Sequence, residues 1–306
     1  MRFILPIFLM LPVPTNLVAD SGVIDLEFVR ARIVFSAEHE GGLHILDVSN
    51  KQVNEVQVGM LNIGFLDYDR KKNILVFEGT RLKNSPKSIY LYHFKNRVIK
   101  KIYNAGSFTN SLRRPRFHPG GESIYAVNAN KGIYRYSLKD DQWSRVKVEG
   151  SKSEIYGAVS FAKSGKVVAI SPRNFNGFII ADLVDEKFVV RKHILNKYIS
   201  TNQPQWVGDH AIIFAGRNRP GPQRLWKLDF GKKNRNFFAK PRLLTQDPIG
   251  VRDYVALSRD EKTVVFTGMK NTLEWRLWKI TVNGDNLEQL TKGGRLSGHL
   301  SPTWVD

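Results

Sequence analysis

Residues 116–125 read Arg-Phe-His-Pro-Gly-Gly-Glu-Ser-Ile-Tyr: an aromatic residue, a tight turn and the start of an apolar run. The Pro-Gly-Gly turn supplies the backbone freedom that a short hairpin requires. The run that follows is rich in β-branched and aromatic residues, a composition typical of a buried strand. The segment therefore predicts two antiparallel strands joined by a tight turn.

The apolar run occurs six times along the chain. The copies lie 42, 50, 43, 44 and 52 residues apart, counted between their last residues, which are Phe35, Phe77, Val127, Ile170, Phe214 and Phe266. A period of about 40 to 50 residues is the length of one propeller blade. The repeat predicts an all-β fold, a six-bladed β-propeller with four-stranded antiparallel blades.

One innermost strand is missing where the repeat begins. The later copies have a strand before their apolar run, whereas the first copy has none. Residues 301–306, Ser-Pro-Thr-Trp-Val-Asp, supply the missing strand at the other end of the sequence. We therefore predict that the C-terminal strand completes the first blade and closes the ring, with Trp304 beside Phe35. Closure removes the open sheet edges of a linear array.

The repeat resembles the PD40 repeats, which are WD40-like, of the TolB-like propellers. The closest copy of the turn half is 116–125, and the closest copies of the remainder are 265–280 and 283–291. The resemblance covers 31–306 and implies a propeller without the α/β domain that precedes it in TolB. Because one fold supports many functions, the resemblance implies little about activity.

The composition is that of a strongly basic globular protein. The sequence of 306 residues contains 47 Lys plus Arg against 28 Asp plus Glu, giving a formal net charge of +19. Such an excess predicts attraction to anionic partners. A hydrophobic content of 42% excludes disorder and collagen, and the absence of cysteine excludes disulfides.

The N-terminal residues have the pattern of a secretory signal peptide. Arg2 precedes an apolar run at 3–11, and Ala19 and Ser21 are both suitable last residues before cleavage. A membrane span would need about 20 apolar residues, so we predict no transmembrane segment. We expect a signal peptide at 1–21, a single propeller domain at 22–306, and export to the periplasm or full secretion.

Catalytic motifs are absent from the sequence. It contains no nucleophile elbow, zinc-binding His-Glu-x-x-His, phosphate-binding loop or EF-hand. Glu38, His39 and Glu40 place a histidine between two carboxylates, which could ligate a metal or transfer protons, but without partner residues the pattern favours a solvated polar loop. We expect no cofactor and no metal site. Whether an ion occupies the central channel stays an open question at this point.

The predicted loops separate by charge. Loops between second and third strands share one side of a propeller, here named the first face, with the connections between blades, and the other hairpin turns share the second face. Arginine predominates on the first face, and its planar fork suits carboxylate and phosphate groups. The residues predicted to bind a partner there are Arg81, Arg113, Arg114, Lys131, Arg173, Arg217, Arg219 and Arg224.

These observations predict an exported, monomeric, non-enzymatic propeller whose basic first face binds an acidic protein or an anionic cell-envelope polymer. No motif supports specific nucleic-acid binding. One alternative stays open: a hydrolase or lyase acting on an acidic polysaccharide or lactone in the central funnel, with Glu38, His39 or Glu40 transferring protons.

Overall fold

The computed structural model describes residues 31–37, 42–109, 111–128, 130–151, 156–172, 177–195, 199–218, 221–230, 241–245, 249–270, 274–292 and 298–305. The predicted signal peptide at 1–21 and the segment 38–40 lie outside these residues, as do Arg173 and Arg219. Within the described ranges the regular structure is β-strand, and no helix there could cross a membrane.

The first three blades follow one another in chain order. Blade 1 contains β1 (Arg32–Ala37), β2 (Leu43–Asp47) and β3 (Val53–Val56). Blade 2 contains β4 (Asn62–Asp69), β5 (Ile74–Thr80), β6 (Ser88–His93) and β7 (Val98–Tyr103). Blade 3 contains β8 (Arg113–Phe117), β9 (Ser123–Asn128), β10 (Gly132–Ser137) and β11 (Gln142–Val146).

The remaining blades repeat the pattern. Blade 4 contains β12 (Val148–Glu149), β13 (Tyr156–Phe161), β14 (Val167–Pro172), β15 (Gly177–Val184) and β16 (Lys187–Leu195). Blade 5 contains β17 (Ile199–Val207), β18 (Ala211–Asn218), β19 (Arg224–Asp229) and β20 (Arg242–Leu243). Blade 6 contains β21 (Gly250–Leu257), β22 (Thr263–Met269), β23 (Arg276–Thr281) and β24 (Glu288–Gln289). The short β12 pairs in parallel with β16, giving blade 4 a fifth strand that the repeat did not predict.

The last strand, β25 (His299–Trp304), is the inner strand of blade 1. It pairs antiparallel with β1, so that Trp304 lies opposite Ile33 and Thr303 opposite Val34. Trp304 also packs on the apolar cluster that contains Phe35. The predicted six-bladed propeller, closed by the C-terminal strand, is confirmed.

The core lies between the blades. Six apolar clusters of described residues each span two neighbouring blades. The cluster at the closing seam joins Ile33 and Phe35 of blade 1 to Val265 and Leu277 of blade 6. Full burial of a side chain of this size stabilises a fold by about 1.5–3 kcal/mol. The apolar runs that marked the repeat are thus the contacts that hold the ring together.

The repeated tryptophans also belong to the scaffold. Trp226 donates its indole N–H to the carbonyl of Gly216 over 3.1 Å, and Trp278 makes the equivalent bond to Gly268 over 3.1 Å. The identical contact explains why both tryptophans have the same spacing from the preceding phenylalanine. Trp206 instead donates to the carbonyl of Ser160 in the neighbouring blade.

Glu288 links two lysines across the closing seam. Its carboxylate oxygens lie 2.8 Å from Lys279 of the same blade and 2.8 Å from Lys51 of blade 1. Hydrogen bonds from these two ammonium groups hold the pKa of Glu288 at about 2, below its ordinary value of 4.5. A lowered pKa stabilises the fold above the ordinary value, and that contribution is lost as the pH falls toward 2.

We expect Glu288→Gln to lower the free energy of unfolding by up to about 1 kcal/mol at pH 7, because the ion pairs are solvent-screened. The difference from the unmodified protein should shrink as the pH falls below about 4.5. Urea denaturation between pH 7 and pH 3 measures it, with the exposed Glu122→Gln as control. A difference that does not change with pH would contradict this role of Glu288.

Candidate binding site at the first face

The mouth of the central channel on the first face is built from irregular inner strands. Each of the six inner strands shifts its pairing with the second strand at this level: β4 between Ile63 and Leu66, β8 between Arg113 and Arg116, β13 between Tyr156 and Ala158, β17 between Asn202 and Gln205, β21 between Val251 and Val255, and β25 opposite Val34 to Ser36. Such bulges change the direction of side chains. Three of them contain proline, which has no N–H to donate to the sheet: Pro115, Pro204 and Pro302.

Arg114 is held in the bulge of blade 3. Its φ is +54°, in the left-handed region that non-glycine residues adopt at a cost of about 1–2 kcal/mol. Its guanidinium carbon lies 4.7 Å from the ring centre of Phe65, and that ring lies 4.8 Å from the ring of Tyr254. Strained residues persist where the surroundings fix them, and they concentrate at functional sites.

Glu78 is a buried carboxylate close to the positive charges of Lys87, Arg113 and Arg114. Its side chain is 3% exposed, and Oε1 accepts the backbone N–H of Arg114 over 2.5 Å. A Cβ atom at Gly64 would lie 2.9 Å from Oε2 of Glu78 and 3.0 Å from Nζ of Lys87, so the glycine makes room for both charges. Burial raises the pKa of Glu78, against the opposing charges of Lys87, Arg113 and Arg114. Burial likewise lowers the pKa of Lys87.

Blade 6 presents a second stacked arginine on the same face. The guanidinium carbon of Arg252 lies 4.6 Å from the ring centre of Trp275, and Arg276 forms an ion pair with Glu274. Cation–π contacts of this kind contribute about 0.5–2 kcal/mol and fix a flexible side chain. The first face therefore carries arginines whose positions are set by neighbouring aromatic rings.

The structure places the described members of the predicted partner-binding set on the first face but does not gather them in one cluster. Arg113 and Arg114 lie together around Glu78, whereas Arg81 lies farther out, after β5, and Lys131 follows β9. Arg217 and Arg224 belong to blade 5, across the ring from blade 2. The described members of the set are all exposed or half-buried.

Several charges near the second face are paired within the fold. Lys163 lies 3.2 Å from Glu261, Lys100 lies 2.8 Å from Asp141, and Arg135 lies 2.8 Å from Glu186. On the first face, Arg81, Lys131 and Arg217 form no ion pair with another described residue. An anionic partner would therefore meet arginines that are not already neutralised by the fold.

The sequence analysis missed the groups that organise this mouth: Glu78, Phe65, Tyr254, Arg252 and Trp275. Glu78 had a usable signal, because a charged residue interrupts the otherwise buried strand Ile-Leu-Val-Phe-Glu-Gly-Thr. The aromatic residues had none, since their convergence depends on bulges whose positions the repeat does not reveal.

His118 has a structural role on the second face. His118 accepts the N–H of Gly120 at Nδ1 over 3.1 Å, which places its proton on Nε2 for the carbonyl of Gly165, 3.0 Å away. The ring therefore links the turns of blades 3 and 4. Across the described residues, no group of three or more His, Asp or Glu side chains could hold a metal ion. Glu38, His39 and Glu40 lie outside the description.

The sequence matches no protein-family model and no curated protein. Among solved structures, TolB from Acinetobacter baumannii superposes with a TM-score of 0.71 at 17% identity, covering 90% of this chain and 66% of that one. This superposition shows that the chain has a TolB-like propeller fold. A TolB structure from Agrobacterium tumefaciens gives a TM-score of 0.61 at 15% identity, covering 86% of this chain and 88% of that one.

This chain is also similar to a chain of the nidogen–laminin complex. The TM-score is 0.67 at 9% identity, covering 90% of this chain and 98% of that one. This chain spans just under two thirds of the length of the Acinetobacter baumannii protein. At identities this low the superpositions show the fold alone, so any function must be argued from the residues of the first face.

Proposed function

We propose that this TolB-type propeller is an exported, non-enzymatic binding protein whose first face binds an acidic protein partner. The observation that carries the proposal is the presence of exposed apolar side chains among the arginines. Leu61 is 56% exposed, Leu82 68% and Phe108 59%. Exposed apolar side chains grouped within a charged surface mark protein interaction sites.

The three apolar residues belong to the same sector of the ring. Leu82 lies in the loop between β5 and β6, Leu61 in the connection before β4, and Phe108 in the connection before β8. The backbone N–H of Leu61 donates to the carbonyl of Thr80 over 2.8 Å, and the hydroxyl of Thr80 donates to the carbonyl of Leu82 over 2.9 Å. Thr80 therefore anchors both leucines at the rim of blade 2, beside Arg81.

This arrangement favours a protein over an anionic envelope polymer. A polyanionic polymer satisfies only the arginines, whereas an acidic protein surface offers carboxylates and apolar side chains together. Carboxylates suit the planar arginine forks, and contact with Leu82 and Phe108 would remove apolar surface from water. Arginines already stacked on rings, such as Arg114 on Phe65, lose less conformational entropy when they bind.

The proposal is tested with defined probes and matched charge changes. One probe is a synthetic peptide rich in Asp and Glu that also contains Leu and Phe, and the other is dextran sulfate, which offers charge alone. The double variant Arg81→Gln/Arg113→Gln should weaken peptide binding about tenfold, while the control Lys95→Gln/Arg97→Gln, which changes net charge equally in an exposed second-face turn, should have little effect.

Substitutions of the exposed apolar residues then distinguish the two classes of partner. Leu82→Ser/Phe108→Ser should weaken binding of the peptide several-fold and leave binding of dextran sulfate unchanged, because only the peptide contacts apolar side chains. Titration by fluorescence anisotropy across a salt series measures both, since exposed charges are screened over about 8–10 Å. Equal losses in the first-face and control pairs would overturn the proposed location.

A further inference from the structure

A cavity occupies the mouth of the central channel on the second face. It measures about 480 Å³ and is lined by the inner strands of blades 2 to 6 and by the turns that follow three of them. A volume of this size lies within the range of small-molecule sites, about 300–1,000 Å³. The cavity is therefore large enough to enclose a small organic ligand.

Cationic side chains from three blades line this cavity. Arg70 and Lys71 lie in the turn between β4 and β5, Arg116 lies on β8, and Arg259 lies in the turn between β21 and β22. Blade 1 separates blade 6 from blade 2, so positive charge reaches the cavity from different sides of the mouth. A ligand with several anionic groups can therefore contact several of these cations at once.

The two acids of the lining are engaged by the protein itself. Oδ1 of Asp67 lies 3.4 Å from Nη1 of Arg116, and Oδ2 accepts a backbone N–H of β8 over 2.8 Å. Oδ1 of Asp69 accepts the backbone N–H of Lys72 over 3.3 Å, and its buried Oδ2 packs against Gly121 of the neighbouring turn. Four cations against these two acids leave an excess of positive charge around the cavity.

The cations remain available to a ligand. The side chains of Arg70, Lys71 and Arg259 are exposed, and none of them forms an ion pair with another described residue. The side chain of Arg116 is 16% exposed, and one of its five N–H groups is directed to Asp67. Its other N–H groups can bind a carboxylate in fork geometry.

Apolar and amide groups complete the lining. The rings of Phe117 and Phe161 and the exposed Pro119 form its apolar part, and Gln205 of blade 5 adds a half-buried amide. The apolar groups can contact a hydrocarbon skeleton and remove its surface from water, which an inorganic anion does not offer. The lining therefore favours an organic anion over an inorganic one.

We propose that this cavity binds a small organic acid with two or three carboxylates. Arg116 binds one carboxylate in fork geometry, and the exposed cations at the rim bind the others. The rings of Phe117 and Phe161 contact the carbon skeleton between them. The site lies on the second face and is independent of the function proposed for the first.

Isothermal titration of the whole protein at physiological ionic strength tests the inference, because salt screens non-specific attraction to a basic protein. The probes acetate, succinate and tricarballylate carry one, two and three carboxylates. Affinity should rise about tenfold with each carboxylate added, since each gains a charge-assisted hydrogen bond. Pyrophosphate, which has a comparable charge and no carbon skeleton, should bind several-fold more weakly than tricarballylate. Failure of tricarballylate to bind at millimolar concentration, or binding of pyrophosphate that is equally tight, would overturn the inference.

Variants locate the site. Arg116→Gln should weaken tricarballylate binding about tenfold and Arg259→Gln several-fold, whereas Lys139→Gln, in an exposed second-face turn outside the cavity, should bind normally. The first-face variant Arg81→Gln/Arg113→Gln should also bind tricarballylate normally. Melting curves verify the fold of Arg116→Gln, and Arg259 is exposed, so its replacement should leave the fold unchanged. Binding by Arg116→Gln and Arg259→Gln as tight as that of Lys139→Gln would contradict the assignment.

Discussion

Deletion of residues 299–306 is expected to abolish the cooperative unfolding transition of the propeller. The deletion removes β25, which pairs with β1 on its inner side. The inner edge of β1, where Ile33 and Val34 are now buried, would become exposed. It also removes Leu300 and Val305, which are buried against neighbouring blades. The loss should be about 5 kcal/mol or more, comparable to the whole stability of a typical domain.

Urea denaturation followed by circular dichroism measures this loss. A synthetic peptide of residues 298–306 supplied in trans should restore part of the transition, because it can pair with β1 as the native strand does. Rescue by the peptide distinguishes loss of the closing strand from a general effect of truncation. A truncated protein that unfolds cooperatively at nearly the same urea concentration would show that the ring does not depend on its closure.

The second large effect is expected at Glu78. Glu78→Ala should lower the free energy of unfolding by about 3–5 kcal/mol, because it leaves Lys87 without its buried counter-charge. It also removes the acceptor for the backbone N–H of Arg114, a residue held in the left-handed region. Glu78→Ala should therefore lower the free energy of unfolding and also disorder the channel mouth.

A double variant separates the charge from the hydrogen bond. Glu78→Gln/Lys87→Met keeps an acceptor for Arg114 and removes both the buried carboxylate and the half-buried ammonium, so it should recover most of the stability lost in Glu78→Ala. Burial raises the pKa of Glu78, so the fold loses stability as this carboxyl ionises with the pH rising from its ordinary value of 4.5 through the raised pKa. The double variant, which has no carboxyl at this position, should lack that part of the pH dependence. A loss below about 1 kcal/mol in Glu78→Ala would contradict the buried-pair account.

The architecture could be predicted from the sequence because the apolar runs repeat at a nearly regular spacing. Each blade contributes an apolar run at nearly constant spacing, and the phenylalanines that end most of these runs are the buried contacts between blades. The closing strand could be predicted equally well, since the inner strand is missing from the first repeat and an extra copy of it follows the last repeat. The extra strand β12 was not visible because two residues carry no period.

The organisation of the site could be predicted only in part. Loop order placed Arg81, Arg113 and Arg217 on the first face, since that assignment needs only the direction of strands. The pairing of Arg114 with Phe65 and Tyr254 depends on bulges in three different blades, and no local sequence rule brings those residues together. The second-face cavity is likewise formed by side chains from separate repeats, which a single blade cannot reveal.

We propose the first face as the partner-binding surface of the propeller. Hydrogen exchange of the propeller with and without the acidic, Leu- and Phe-containing peptide measures this most directly. We expect slower exchange in the first-face segments 57–61 and 81–87 and unchanged exchange in the second-face turns 94–97 and 138–141. Protection confined to the second-face turns, or equal protection on both faces, would contradict the claim.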